Sequence, residues 1–296
     1  MTGHDPVLLE AVVDGLAPLP GEHLLDLTIG RGGHALRILE ATAPGGRLVG
    51  VDRDPAAHAM CSTSLPADRT ELVHGNFGDL PSLRQSIGSG TWDLVLADLG
   101  VSSPQLDDGE RGFSFRFDGP LDMRMDPTRG ETAAQLIAMI TEESLVTLIK
   151  ELGEDRHARK IAAAIIRARA EEPIETTGRL ASVIRNAVPV TGSSKLDAAT
   201  RTFQALRIAV NRELEALQHL LDRIGSLLSP GGRLAIISFH SLEDRKVKEC
   251  FRTLSSEGDH LLLTTRPIRA TDSEVRHNPR SRSARLRIIR RLEEPA

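Results

Sequence analysis

The chain has 296 residues, 40% of them hydrophobic and 26% charged, with a net charge of −4. That is length enough for one large domain or two smaller ones, each burying a core without staples. No run approaches the ~18 apolar residues of a membrane span, and the acidic N-terminus MTGHDPVLLE is no secretion signal. Two cysteines at unrelated positions, Cys61 and Cys250, argue against a disulfide framework and a cysteine zinc site, so a reducing cytoplasm is expected.

The first hundred residues alternate strand and helix signals. His23–Thr28 predicts a short buried strand, followed by the turn Gly30-Arg31-Gly32-Gly33 and a helix through Ala35, Leu36, Ile38 and Leu39. Arg47–Val51 predicts a second strand ending at Asp52, and Pro55 opens a helix at its first turn, where proline is tolerated. Glu71–His74 is a third strand and Thr91–Ala97 a fourth, ending at Asp98. Strands separated by helices argue for right-handed βαβ units and a parallel sheet.

The alternation stops after Asp98. Residues 100–130 are rich in Gly, Ser, Asp, Arg and Pro, the signature of a functional loop, while Phe113, Phe115, Phe117, Met123 and Met125 argue against plain disorder. Helical signals then run from Thr132 to about Ala198. From Phe203 through Leu206, Val210, Leu214, Leu217, Leu221 and Ile224 to Leu228 the apolar stripe predicts one long amphipathic helix, stopped by Pro230-Gly231-Gly232. Arg233–Phe239 is a buried strand and Leu242–Leu254 a helix. His260–Thr265 and Ala284–Arg290 alternate as strands able to pair in a final hairpin. The expected fold is a Rossmann-like α/β sheet domain, residues 1–104 with 211–296, carrying an inserted all-helical domain, residues 105–210, for substrate recognition.

Charge is uneven along the chain. Residues 266–291 hold nine arginines, no lysine and two acids, about +7. A basic tail on an acidic body suggests a polyanionic partner, or a solvated surface strand. Aromatics are 3% with no tyrosine, so any base-stacking platform is sparse.

Gly30-Arg31-Gly32-Gly33-His34-Ala35 fits a glycine-rich fingerprint between strand and helix, and Asp52 follows Gly32 by twenty residues, placed to take both hydroxyls of a ribose. Two cofactor classes share this pattern. Asp26 beside the turn would repel the pyrophosphate of a nicotinamide dinucleotide but suits the ammonium of S-adenosyl-L-methionine, which tilts the reading to the latter. Phe77 could cover an adenine, or be an ordinary core residue. Asp26, Gly30, Asp52, Phe77, Asp98 and His240 all fall at or past strand ends, where open parallel sheets bind ligands.

Asp98-Leu99-Gly100-Val101-Ser102-Ser103-Pro104 stands where amino-methylating enzymes keep a polar residue followed by prolines. Acceptors aimed at the N–H bonds of a conjugated amine favour the rehybridisation it needs before attacking a methyl sulfonium, and the rest is in-line positioning. Asp98 fits that role or a cofactor contact equally. Ser241 with Asp244 predicts a capping box, with His240 just ahead of it as a second catalytic candidate or a satisfied polar residue. No histidine pair has metal-ligand spacing, so no metal is expected.

Seven strings in one order, among them Thr28–His34, Asp98–Gln105, Arg111–Phe115, Gly119–Met125, Thr202–Asn211, Ile237–Arg245 and Asn278–Ala284, resemble the bacterial RsmH (MraW) family. The resemblance implies an S-adenosyl-L-methionine-dependent enzyme that methylates the N4 amine of a cytosine in 16S ribosomal RNA of the small subunit. It implies cofactor contacts at Gly32, Gly33, His34, Asp52, Phe77, Asp98 and Gln105. On this reading Asp98 and His240 orient the amine, and Arg111, Arg124, Arg280, Arg282 and Arg285 hold the RNA. A nicotinamide oxidoreductase and a non-catalytic ribosome-assembly factor are the competing readings.

Overall fold

The computed structural model describes residues 6–88, 90–188 and 197–293. Two compact units emerge: residues to Gly100 with those from Leu214 onward, and Val101–Glu213.

The first unit is built on seven strands: β1 (Leu24–Asp26), β2 (Leu48–Asp52), β3 (Thr70–His74), β4 (Trp92–Asp98), β5 (Leu228–Ser238), β6 (His260–Leu262) and β7 (Arg285–Arg291). Their order is β3-β2-β1-β4-β5-β7-β6, with β1 to β5 parallel and β7 antiparallel to both neighbours. Both faces are covered. Leu25, Val49, Val95, Leu234 and Ile289 pack in one core with Leu217, Leu220 and Phe251. Leu24, Leu48, Leu94, Ile237 and Ile288 pack in the other with Val12, Ile38 and Cys61. That is why the central strands read as unbroken apolar runs instead of alternating ones. The strand order reverses between β1 and β4, and the carboxyl edge at such a switch point is where ligands enter open sheets.

The predicted final hairpin exists as the β6–β7 pair, shorter at β6 than the sequence suggested. A helix at Asp272–His277 and a short 3₁₀ turn at Pro279–Ser283 lie between the two strands. The Pro230-Gly231-Gly232 helix stop is overturned. The residues lie inside β5, where the register against β4 jumps between Trp92↔Leu228 and Leu94↔Arg233, and the extra residues form a bulge.

The second unit is helical. Helices Glu142–Gly153, Ala158–Glu171, Thr177–Ala187 and Thr200–Asn211 bury Leu145, Ile149, Ile161, Ile165, Leu180, Ile184 and Leu206 against one another. The single long helix expected from Phe203 to Leu228 is three helices, Thr200–Asn211, Glu213–Leu221 and Ile224–Leu227. The first break is at Arg212, whose φ of 50° is left-handed. The stripe keeps its period across the break, so periodicity alone cannot see it. Phe203 and Leu206 serve the helical core, whereas Leu217, Leu221 and Ile224 serve the sheet core.

The 109–126 segment is ordered by backbone bonds and by buried Asn211. The Asn211 side chain accepts from Met125 N (2.8 Å) and donates to Met123 O (2.7 Å) and Arg207 O (2.9 Å). This holds Met123 at a left-handed φ of 64°. Gly112 has no alternative residue: its φ is 70°, and a Cβ would sit 2.4 Å from Pro120 O. Asn211→Ala leaves two buried backbone groups unpaired and is expected to lower stability by about 2–3 kcal/mol. Chemical denaturation measures the loss, and amide exchange should quicken at Met125.

Candidate functional site

Three of the parallel strands end in aspartate: Asp26 on β1, Asp52 on β2 and Asp98 on β4. Because β2, β1 and β4 are neighbours, the sheet sets these carboxyl groups along one rim. The turn after β1 lies between them. Gly30 N donates to Asp52 Oδ2 and Thr28 N to Asp26 Oδ1, at 2.9 and 3.0 Å. Asp98 N donates to Thr28 Oγ1 at 2.6 Å, which ties the end of β4 to the same turn. Gly32 caps the helix Gly33–Ala41 with φ 75°, where a side chain would be strained.

Burial without a counter-ion raises the proton affinity of all three acids. Asp26 is pushed up to about 7, by desolvation and then by the charge of Asp52. Asp98 is pushed up to about 8, by desolvation and by the charges of Asp26 and Glu243. Asp52 is raised for the same first reason, while the N–H groups of Asp54 and Gly30 pull it back. The Asp98 side chain keeps 27% of its surface open. Its Oδ1, however, is enclosed and has no hydrogen-bond partner among the described residues. An acceptor held dry and unpaired costs free energy unless a ligand donates to it.

His34 is buried, and its Nε2 donates to Val7 O at 2.8 Å. That bond fixes the tautomer, so neutral Nδ1 is an acceptor, and it lies 4.0 Å from Asp98 Oδ2. Burial pushes the imidazole down to about 4. Cys61 lies within the helix Pro55–Ser64. Its thiol donates to Gly30 O at 3.3 Å, and burial with the charges of Asp26 and Asp52 pushes it up to about 12. It clamps the glycine turn and is no nucleophile. No sequence motif announced it, because the contact spans thirty residues.

These residues fit a cationic nucleoside cofactor. Asp52, oriented by two backbone N–H groups, keeps lone pairs for ribose hydroxyls, and Asp26 and Asp98 supply negative charge. Phe77 opens a short 3₁₀ turn past β3 and is half-buried, packed against one sheet core.

Other expected site residues are differently employed. Gln105 belongs to the second unit, where its Oε1 accepts from Ser102 N at 2.9 Å in a capping box for the helix Ser103–Asp107. The predicted Ser241/Asp244 capping box is overturned. His240 itself is the N-cap of Ser241–Glu257, its Nδ1 accepting from Glu243 N, while Glu243 Oε2 accepts from Phe239 N at 2.9 Å. Nδ1 is thereby an acceptor, and the enclosed Nε2 faces Glu243 Oε1 at 3.2 Å, so the ring is held within the cap. Asp244 is taken by Arg285 and Arg287, at 3.3 and 2.7 Å.

The arginines divide the same way. Arg111 donates to Arg124 O and Met125 O, and Arg124 grips Asp122 with two bonds, so both order the loop that holds them. In the basic tail Arg287 is buried and Arg285 is ion-paired, which removes part of the expected RNA-facing charge. Arg280 is half-buried, while Arg266, Arg269, Arg276 and Arg282 stay exposed.

Comparison with known proteins adds an independent line. The model of the MraW methylase family matches residues 1–292. A ribosomal RNA small subunit methyltransferase H from Syntrophotalea carbinolica is 48% identical, with 98% of each chain covered. The protein of that name from Chromobacterium violaceum is 49% identical over 99% of this chain and 96% of its own.

The raised acids make stability fall as pH rises. With folded values near 7 and 8 against an unfolded value near 4, the unfolded chain gives up its protons first, so the loss spans about pH 4 to 8. Asp98→Asn is therefore expected to narrow the gap in Tm between pH 5 and pH 8, measured by calorimetry of the ligand-free protein. A cationic ligand should bind more tightly as pH rises through the same window and release protons, which titration in buffers of different ionisation enthalpy counts.

Proposed function

The chain belongs to the MraW methylase family, and on that premise we propose that it methylates the N4 exocyclic amine of a cytosine in 16S ribosomal RNA, in the cytoplasm and on the small ribosomal subunit. It is an S-adenosyl-L-methionine-dependent methyltransferase. The observation that carries the finer reading is Asp98 at the switch point of the sheet, its side chain part-open and its Oδ1 without a partner among the described residues.

Gly32, Gly33, Asp26 and Asp52 hold the cofactor, which supplies a methyl carbon made electrophilic by a positively charged sulfur. The amine of cytosine is conjugated to its ring and is a weak nucleophile. Asp98 in its ionised form accepts one N–H, and His34 Nδ1 is a second acceptor nearby. Fixing the N–H bonds this way favours the pyramidal nitrogen needed for in-line attack, and the acceptors are in place before the reaction. The N–CH₃ bond would form as the sulfur–methyl bond breaks, its electron pair staying on sulfur as a neutral thioether, and the proton shed by the nitrogen would pass to the Asp98 carboxylate, whose proton affinity is raised by burial. His240 acts through Glu243, whose carboxylate faces its Nε2 at 3.2 Å and whose charge bears on Asp98. An unpaired cytosine is required, since the amine is otherwise engaged in pairing. The units 1–104 with 211–296 and 105–210 divide the work into cofactor binding and substrate recognition.

Asp98→Ala is expected to abolish methyl transfer, by at least a hundredfold for a lost acid–base group, while S-adenosylhomocysteine still binds. Single-turnover transfer of labelled methyl to unmethylated small-subunit RNA, with mass spectrometry of the product nucleoside, measures both rate and site. A variant rate equal to wild type at saturating cofactor sinks the role.

A further inference from the structure

We propose that a cleft on the outer edge of the sheet unit, between the helix Ser241–Glu257 and the β6–β7 pair, holds a phosphate of the RNA backbone through Lys248 and Arg252. This deepens the reading above and rests on RNA being the substrate. Lys248, Phe251, Arg252, Thr265 and Arg287 line the cleft.

Lys248 and Arg252 stand four residues apart on the helix, so their side chains share one face. Neither has a hydrogen-bond or ion-pair partner among the described residues. Two like charges at that spacing repel, and a fold with 41 acids could have paired them. Beneath them two guanidinium groups, Arg285 and Arg287, share the single carboxylate of Asp244, which leaves the floor of the cleft positive as well. Thr265 adds an exposed hydroxyl, and exposed Arg266 and Arg269 follow it along the chain. Phe251 is buried and packs under the pair, so the helix carrying the two cations is rigidly seated. Asp244, one turn before Lys248, is taken by Arg285 and Arg287, and among the described residues Glu249, Glu257 and Asp259 make no ion pair with either cation.

A tetrahedral phosphodiester matches this arrangement: one compact ammonium, one planar guanidinium and a hydroxyl, with no base-reading group. Such contacts fix register and carry no sequence information. The cleft accounts for basic surface that the paired arginines of β7 do not provide.

The test compares wild type with Lys248→Gln/Arg252→Gln on unmethylated small-subunit RNA and on subunits assembled from it, across a salt series. Removing two phosphate contacts should weaken binding about twentyfold at 0.1 M salt and reduce the slope of log K against log salt by about 1.4. Binding of S-adenosylhomocysteine should be unchanged, and Tm unchanged or higher because a repulsion is relieved. A variant that keeps the wild-type Kd and slope overturns the cleft. So does a wild type whose Lys248 responds to millimolar inorganic phosphate while RNA binding is indifferent to the substitution, since the cleft then takes free anions only. A wild type that binds S-adenosylhomocysteine but neither RNA form overturns the substrate reading itself.

Discussion

Asp26, Asp52 and Asp98 end neighbouring parallel strands, and the backbone turn after β1 is threaded among them. Like charges gathered in a dry place are held only by what surrounds them. Thr28 N steadies Asp26, the Gly30 and Asp54 N–H groups steady Asp52, and Thr28 Oγ1 steadies the backbone of Asp98. None of these partners carries a full positive charge. The acids respond by holding protons tightly. Three carboxyl groups on one rim suit a ligand that carries positive charge, and a sulfonium with an ammonium fits them where a pyrophosphate would be repelled.

The helical unit solves a different problem with neutral groups. Its long loop between residues 109 and 126 is closed by Asn211, by Arg111 on two carbonyls, and by the Asp122–Arg124 pair. Motifs such as Gly119–Met125 and Thr202–Asn211 are adjacent in this unit because one is the clasp for the other. Strings of polar residues that read as substrate-binding chemistry turn out in good part to be the means of ordering a loop.

Much of the fold was legible because β1 to β5 are buried on both faces and bounded by glycine, proline and aspartate. The strand ends, and so the acidic rim, follow from local sequence. What escaped depended on tertiary contacts. The Arg212 break leaves the apolar stripe intact, and Pro230-Gly231-Gly232 looks like a helix stop until its strand partner is known. The cap is made by His240 and Glu243 instead of Ser241 and Asp244, because it is decided by which side chain faces Glu243 N, while Asp244 meets Arg285 and Arg287. Cys61 and the Lys248/Arg252 pair carried no motif, since their meaning lies in neighbours remote in sequence.

Strand β4 pairs on one side with β1 and on the other with β5, yet the whole helical unit is spelled out between Asp98 and Leu228. During synthesis β4 therefore waits with one edge bare while the intervening residues are added, on the order of ten seconds at cellular elongation rates. Leu94, Val95, Leu96 and Ala97 supply that edge, a short apolar ribbon able to pair with a stranger. The architecture leaves that edge to be closed late, when Leu234 to Ile237 have left the exit tunnel and can pair with it.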